Sequence, residues 1–332
     1  MTIKVGINGL GRIGRCVFRA IAERGYDDIE LVAVNGPAPL ETHLHLLKYD
    51  STHGRCDAVG SRGSNLTLHG KEIRLTHERE PEKINWSDAG VDVVLECTGI
   101  FKKHSEASRH LGGSVKHVII SAPAPDPDNT IVYGVNHDSF KADQAIISAG
   151  SCTTNCLAPV AKVLHDRFGI ETGFVTTIHA YTGDQNILDN SHKDLRRARA
   201  AGLSMVPTST GAAKTIGKVL PELDGKLDGT AIRVPTPNVS LVDLTYTSTK
   251  PMTAEAIHDA MREAAEGAMK GVLAYSDEPL VSIDFNHHPA SSIYDATGTK
   301  LTASNFARIA SWYDNEWGFS VRMLDIARLT GK

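Results

Sequence analysis

Over the first 150 positions, apolar residues fall in short, nearly continuous runs, and the segments between several of them carry the spacing of a helix with one apolar face. Runs 3–8, 29–35, 91–97, 117–121 and 145–148 predict buried strands, and Cys16, Val17, Phe18, Ile21 and Ala22 predict a helix directly after the first. Alternation of this kind predicts an α/β fold, a Rossmann-type doubly wound parallel sheet whose strand ends form a binding crevice. Past residue 152 the pattern changes. Segments 175–179, 230–234, 240–247 and 307–313 alternate or are rich in β-formers, and residues 254–268 predict an amphipathic helix behind a Thr253 cap position. A second domain of the α+β kind is expected there. Residues 320–329 predict a last helix whose stripe of Val321, Leu324, Ile326 and Leu329 needs a surface to cover it.

Composition narrows the possibilities. With 332 residues, 41% apolar and 22% charged, the chain has enough material for two cores and is not a disordered sequence. A net charge of −4 gives no electrostatic reason to expect nucleic acid or membrane as a partner. The basic cluster Lys193, Arg196, Arg197 and Arg199 is short and interrupted by Asp194, which suits a phosphate group or a subunit contact better than DNA. Five cysteines, at 16, 56, 97, 152 and 156, lack the spacing of a disulfide scaffold, and Cys152 and Cys156 lack the second pair of a zinc site, so no metal is expected. A strand that begins within three residues of Met1 leaves no room for a signal peptide, and no run is long enough to span a membrane; the expected location is the cytoplasm.

Chemistry concentrates at a few strand ends. Gly9-Leu10-Gly11-Arg12-Ile13-Gly14 lies between the first strand and its helix, and the second strand ends about 20 residues on at Asn35. Glycines in this pattern allow a tight turn, close approach of a pyrophosphate and close helix packing; the alternative is a glycine turn that only packs a helix. Cys152 stands at a second strand-to-helix turn, where helix N–H groups and the dipole favour a thiolate, the form that attacks a carbonyl carbon. A buried packing cysteine is the alternative. His179, in Ile178-His179-Ala180-Tyr181-Thr182, offers an imidazole base at another strand end, or a structural histidine. Arg233 sits inside the apolar run Ala231-Ile232-Arg233-Val234 and asks for an anionic partner.

The whole chain resembles the phosphorylating glyceraldehyde-3-phosphate dehydrogenases. The resemblance is carried by Ile7 through Arg15, Lys48-Tyr49-Asp50-Ser51-Thr52-His53-Gly54, Glu96-Cys97-Thr98-Gly99, Ser121-Ala122-Pro123 and Ser151 through Cys156. Further matches are Lys193-Asp194-Leu195-Arg196-Arg197, Pro207 through Lys214, Arg233 through Asn238, and Trp312 through Gly318. It implies a dinucleotide-binding domain over residues 1–151, completed by a terminal helix over 317–332, and a catalytic domain over 152–316. It also implies that Cys152 attacks glyceraldehyde 3-phosphate, that His179 serves as base, and that inorganic phosphate releases 1,3-bisphosphoglycerate from a thioester. By the same resemblance Thr182 and Arg233 hold the substrate phosphate, and Ser151, Thr153, Thr210 and Gly211 form the inorganic phosphate site, with Arg196 near both. Asn8, Gly9, Gly11, Arg12, Ile13, Gly14, Asn35, Thr98, Gly99 and Ser121 fall to the cofactor, NAD or NADP, with Asn315 at the nicotinamide carboxamide. The loop between Tyr181 and Pro207 is expected to border the cofactor site of a neighbouring subunit in a homotetramer.

Three positions depart from the family pattern. Gly36 stands where many NAD-specific relatives carry an acidic residue, so no carboxylate repels a 2′-phosphate or grips the ribose hydroxyls. Asn190-Ser191 replaces the common Leu-Pro, which adds polar groups on a loop that relatives place near the same ribose. Ala149-Gly150 replaces the usual Asn-Ala before Ser151. Residues 281–289 look somewhat like the erythrose-4-phosphate dehydrogenases, a non-phosphorylating branch with the same cysteine and histidine. Tyr181-Thr182-Gly183-Asp184 and Thr208-Ser209-Thr210-Gly211 instead look like the phosphorylating branch. A non-catalytic dinucleotide-binding protein is the reading from another class, and the presence of both Cys152 and His179 speaks against it.

Overall fold

The computed structural model describes residues 2–331. It forms two compact units, one running through Ser151 and resuming at Ser320, the other Cys152–Phe319. In chain order the first unit contains β1 (Ile3–Asn8), α1 (Arg12–Arg24), β2 (Ile29–Asn35), α2 (Leu40–Lys48), β3 (Tyr49–Asp50), β4 (Gly54–Arg55), β5 (Val59–Arg62), β6 (Asn65–Leu68) and β7 (Lys71–Thr76). It continues with β8 (Val93–Glu96), α3 (His104–Ala107), β9 (His117–Ile120), β10 (Asn129–Thr130) and β11 (Ile146–Ser148). The nine-stranded sheet has the order β10-β11-β9-β8-β1-β2-β7-β6-β5. It is parallel from β10 to β7, and only the β5-β6-β7 edge runs antiparallel.

The apolar runs explain the centre of this sheet. Strands β1, β8 and β9 are buried almost throughout, which is why their sequences read as continuous rather than alternating. Trp86, Val94, Val118, Ile120 and Ile146 share one core cluster. The β5-β6-β7 edge had no comparable signal: Val59-Gly60-Ser61-Arg62 buries only its first residue. Order reverses from β1 to either side, and this is the switch point at which open α/β sheets place a ligand crevice.

The second unit begins with α4 (Cys152–Phe168) and continues through β12 (Ile170–Ala180), β13 (Val206–Ser209), α5 (Ala212–Val219), β14 (Leu227–Val234), β15 (Ser240–Ser248), α6 (Ala254–Glu266), β16 (Leu273–Ser276), β17 (Ser292–Ala303) and β18 (Phe306–Tyr313). Its seven strands run β13-β14-β12-β15-β18-β17-β16, with mixed directions. Thr253 caps α6 as its position suggested, its hydroxyl accepting from the Ala256 N–H at 3.1 Å. The last helix, α7 (Trp317–Thr330), passes from one unit to the other at Ser320. Val321, Leu324 and Ile326 are buried, and Arg328 pairs with Asp28 at 2.7 Å within the first unit. Among the described residues, no helix is long and apolar enough to cross a membrane.

Candidate active site

At the carboxyl ends of β1 and β8, glycine is required by backbone geometry. Gly9 has φ 95°, and a Cβ there would lie 2.8 Å from the Thr98 nitrogen. On Gly14 a Cβ would lie 1.9 Å from the Gly9 carbonyl oxygen, so the helix could not seat on the turn. At Gly11 a Cβ would meet nothing. The protein's own packing therefore does not demand glycine at 11; the bare backbone and the uncapped start of α1 leave room for an anion to approach the helix N–H groups. These features fit a dinucleotide pyrophosphate.

The side chains around this turn are engaged with one another. Arg12 donates to both oxygens of Asp50, at 2.5 and 3.2 Å. Burial works to raise the Asp50 carboxyl, but the Arg12 hydrogen bond and the His53 and Thr52 N–H groups outweigh it and hold it well below the usual carboxylate range. Asn8 and Asn35 are buried. Asn35 donates to Asn8 Oδ1 at 2.8 Å, Asn8 donates to Glu96 at 2.6 Å, and Asn35 Oδ1 accepts from the Thr76 hydroxyl and the Glu78 N–H. Their side chains thus tie the strand ends together. Glu96, buried and absent from the expected site, is the hub: it accepts from the Thr98 N–H and hydroxyl and faces His110 Nε2 at 3.0 Å. Gly99 follows with φ 70°, Ser121 lies half-buried directly after β9, and Ile13 is half-buried in the first turn of α1.

In the second unit, Cys152 opens α4 and its sulfur lies 3.5 Å from His179 Nε2. His179 is buried near the end of β12, and its Nδ1 lies 2.6 Å from the Ala180 carbonyl. A carbonyl can only accept, so Nδ1 carries the proton and Nε2 turns a lone pair to the thiol. Burial pushes the Cys152 thiol up, opposed by the Arg233 charge and then by the Thr153 hydroxyl and N–H. Burial likewise lowers His179, to about 3, with Arg233 pushing the same way. The N–H groups at the helix start do favour the thiolate, the direction expected from the turn, but desolvation outweighs them and holds each group neutral on its own. Proton transfer from Sγ to Nε2 creates both charges together at 3.5 Å, where they offset one another. Cys156, one turn further on, faces Ser292 and Ser311, and burial pushes it up to about 12, as suits a packing cysteine.

The register of the sheet gathers the remaining groups. His179 and Arg233 are direct partners across parallel β12 and β14, and Val206 of β13 pairs with Arg233 on the other side. Arg233 is half-buried and donates to the Ala180 carbonyl and the Thr182 hydroxyl, each at 3.2 Å. Its Nε is buried with no partner, an opening for an anion beside Thr182. Thr153 is buried, its hydroxyl 2.8 Å from Tyr313 OH; the same phenol oxygen is 2.8 Å from Thr177, and its ring meets His179 edge-on at 5.8 Å. Tyr313 was part of a recognised motif yet carried no expected role. Thr210 accepts from the Ala212 N–H at the start of α5, and Gly211 is exposed beside it.

Of the basic cluster, Arg196 is exposed, whereas Arg197 turns inward, donating to Thr208 at 3.0 Å and Asp184 at 2.6 Å. The Arg197 charge acts on both His179 and Arg233. Asn190 and Ser191 are exposed on the long loop, where the Asn190 side chain accepts from the Ser191 N–H at 2.7 Å. Asn315 is buried, its Oδ1 accepting from the Ser240 hydroxyl at 2.8 Å. Asp314 next to it caps α7 through the Glu316 and Trp317 N–H groups. Gly150, before the nucleophile turn, has φ 68° and donates to Ser148 at 3.1 Å.

Both units also match known proteins in sequence. Residues 3–104 match the family model described as "Glyceraldehyde 3-phosphate dehydrogenase, NAD binding domain", and residues 151–315 match "Glyceraldehyde 3-phosphate dehydrogenase, C-terminal domain". A protein of Xanthobacter flavus named glyceraldehyde-3-phosphate dehydrogenase is 54% identical over 100% of this chain and 99% of its own length. Proteins with the same name from Cereibacter sphaeroides and Geobacillus stearothermophilus are 55% and 56% identical, over 100% and 98% of this chain and 99% and 98% of their own lengths.

Proposed function

The chain belongs to the glyceraldehyde-3-phosphate dehydrogenase family, and from that premise we propose that it oxidises glyceraldehyde 3-phosphate to 1,3-bisphosphoglycerate through a thioester on Cys152. The observation that carries this reading is the 3.5 Å approach of Cys152 Sγ to a His179 ring whose other nitrogen is anchored on Ala180. His179 Nε2 accepts the thiol proton, and the sulfur forms a bond to the aldehyde carbon. The proton passes to the carbonyl oxygen as that carbon becomes a thiohemiacetal. His179 then accepts the hydroxyl proton as the C–H bond breaks, leaving a thioester. A nicotinamide cofactor, when bound, supplies the hydride acceptor. An oxygen of inorganic phosphate attacks the thioester carbon, the C–S bond breaks, and the Cys152 thiolate regains its proton from His179.

Arg233 and Thr182 hold the substrate phosphate; the buried, unpaired Nε and the shared hydrogen bond support that role. Ser151, Thr153, Thr210 and Gly211 receive inorganic phosphate, with Arg196 at the loop and Tyr313 fixing the Thr153 hydroxyl. The Gly9, Gly11 and Gly14 turn, with Arg12, Ile13, Thr98, Gly99 and Ser121, holds the dinucleotide, Asn8 and Asn35 bracing it and Asn315 meeting the carboxamide. Gly36, Asn190 and Ser191 favour acceptance of NADP alongside NAD. The protein works as a homotetramer in the cytoplasm. Ile187, Leu188, Leu195, Leu203 and Met205, all at least 74% exposed on one chain, support self-association through this loop.

An assay of cofactor reduction with NAD⁺ and NADP⁺ in parallel, with and without inorganic phosphate, tests the reading. Sustained reduction is expected to require phosphate and to proceed with NADP⁺. A preference for NAD⁺ of more than about a thousandfold, roughly 4 kcal/mol, contradicts the NADP part. Turnover of erythrose 4-phosphate without phosphate would favour the non-phosphorylating branch.

A further inference from the structure

The space beside Gly36 is filled. A Cβ on Gly36 would lie 2.7 Å from both Cε1 and Nε2 of His43, which reaches over from α2. His43 is only 5% exposed, and its Nε2 is buried without a hydrogen-bond partner. The ring stacks on His77 at 6.4 Å and 16°, and His77 Nδ1 lies 3.0 Å from the Gly36 carbonyl. Burial lowers His43, the Gly36 and Ala38 carbonyls work against that, and the charges of His77 and of Arg15 of α1 lower it further; Arg15 Nη1 donates to the Leu10 carbonyl at 2.8 Å.

In a Rossmann unit the end of β2 is where the adenosine ribose is read: a carboxylate there grips the 2′-hydroxyl, and a cationic group accepts a 2′-phosphate. We propose that His43, backed by Arg15 and His77, is the ribose-reading residue of this chain, its imidazole taking the volume of the absent acidic side chain and its Nε2 serving a 2′-phosphate. This inference rests on the reading that NADP is accepted. An unpaired buried nitrogen is unfavourable, so a ligand phosphate that draws Nε2 into a hydrogen bond relieves that cost as it binds. Positions 36 and 43 are also coupled. An acidic residue at 36 collides with the imidazole, so Gly36→Asp alone does not recreate an NAD-type pocket; it needs His43 replaced as well.

Calorimetric binding of 2′,5′-ADP and 5′-AMP, which differ only by the 2′-phosphate, tests this without catalysis. The wild-type protein is expected to bind 2′,5′-ADP at least about tenfold tighter than 5′-AMP, the scale of one charge-assisted hydrogen bond. His43→Leu should bring the two affinities to within about threefold of each other while leaving 5′-AMP binding unchanged, which also shows that the crevice is folded. His43→Gln should retain part of the preference. Gly36→Asp should weaken both ligands, and Gly36→Asp with His43→Leu should restore 5′-AMP binding. A wild-type preference that His43→Leu leaves intact overturns the assignment to His43 while sparing NADP acceptance. A wild-type protein that shows no preference and does not use NADP⁺ overturns both.

Discussion

Cys152 Sγ lies 3.5 Å from His179 Nε2, and the opposite ring nitrogen lies 2.6 Å from the Ala180 carbonyl. The carbonyl fixes the tautomer, so the histidine is poised to take a proton from sulfur and unable to offer one until it has done so. Cys152→Ser is expected to abolish oxidation while dinucleotide binding persists, because a serine hydroxyl hardly ionises near neutral pH. His179→Asn should slow oxidation by about 10²–10⁴-fold. Cys156→Ser should leave the chemistry intact, its sulfur being buried against Ser292 and Ser311. Steady-state rates for the three variants check the assignments.

Alkylation of Cys152 by iodoacetamide across pH probes the same pair. Burial raises the thiol, whereas the Arg233 charge lowers it. Arg233→Ala removes a charge that favours the thiolate and, with it, the same charge's opposition to a protonated His179, so the two effects offset and the alkylation midpoint should move little. His179→Asn should move it to higher pH, since asparagine cannot accept the proton. A midpoint that stays put in His179→Asn means that Sγ and Nε2 do not share a proton.

Arg233→Ala should also raise the KM for glyceraldehyde 3-phosphate and spare NAD(P) binding. Loss of a hydrogen bond to a charged group, about 1.5–3 kcal/mol, corresponds to roughly 10–150-fold in kcat/KM. Cofactor titration by fluorescence separates the two effects: weakened dinucleotide binding in this variant counts against the phosphate role.

Much of this architecture was legible because burial on both faces writes a continuous apolar run. Strands β1, β2, β8, β9 and β11 were found in that way, and the one-sided edge strand β5 was not. Cys152 and His179 were legible from their turns, yet the partner of Asn8 was not: Glu96 is distant in sequence and reaches it only through the β1–β8 register. Arg196 and Arg197 are indistinguishable as letters; only the loop path turns Arg197 toward Asp184 and Thr208. Gly36 drew notice for a missing carboxylate, but no pattern could say that His43 occupies its place.

The departure at Ala149-Gly150 gains a physical meaning from φ 68° at Gly150. A side chain there costs about 1–2 kcal/mol in a left-handed conformation. Gly150→Ala should lower the urea midpoint accordingly at matched protein concentration, and an unchanged midpoint contradicts the strain.

Sedimentation equilibrium should give about four times the 35.7 kDa chain mass. Leu203→Asp, which places a charge on an apolar side chain 86% exposed in the single chain, should lower it. A monomeric wild-type protein contradicts the association.

The central claim is that oxidation stops at a thioester on Cys152 until phosphate arrives. Stopped-flow absorbance of the reduced cofactor, with glyceraldehyde 3-phosphate in phosphate-free buffer, tests it most directly. The predicted trace is a rapid burst of about one equivalent per active site followed by a plateau, which inorganic phosphate converts to steady turnover. Steady turnover from the start without phosphate, or a burst that survives in Cys152→Ser, contradicts it.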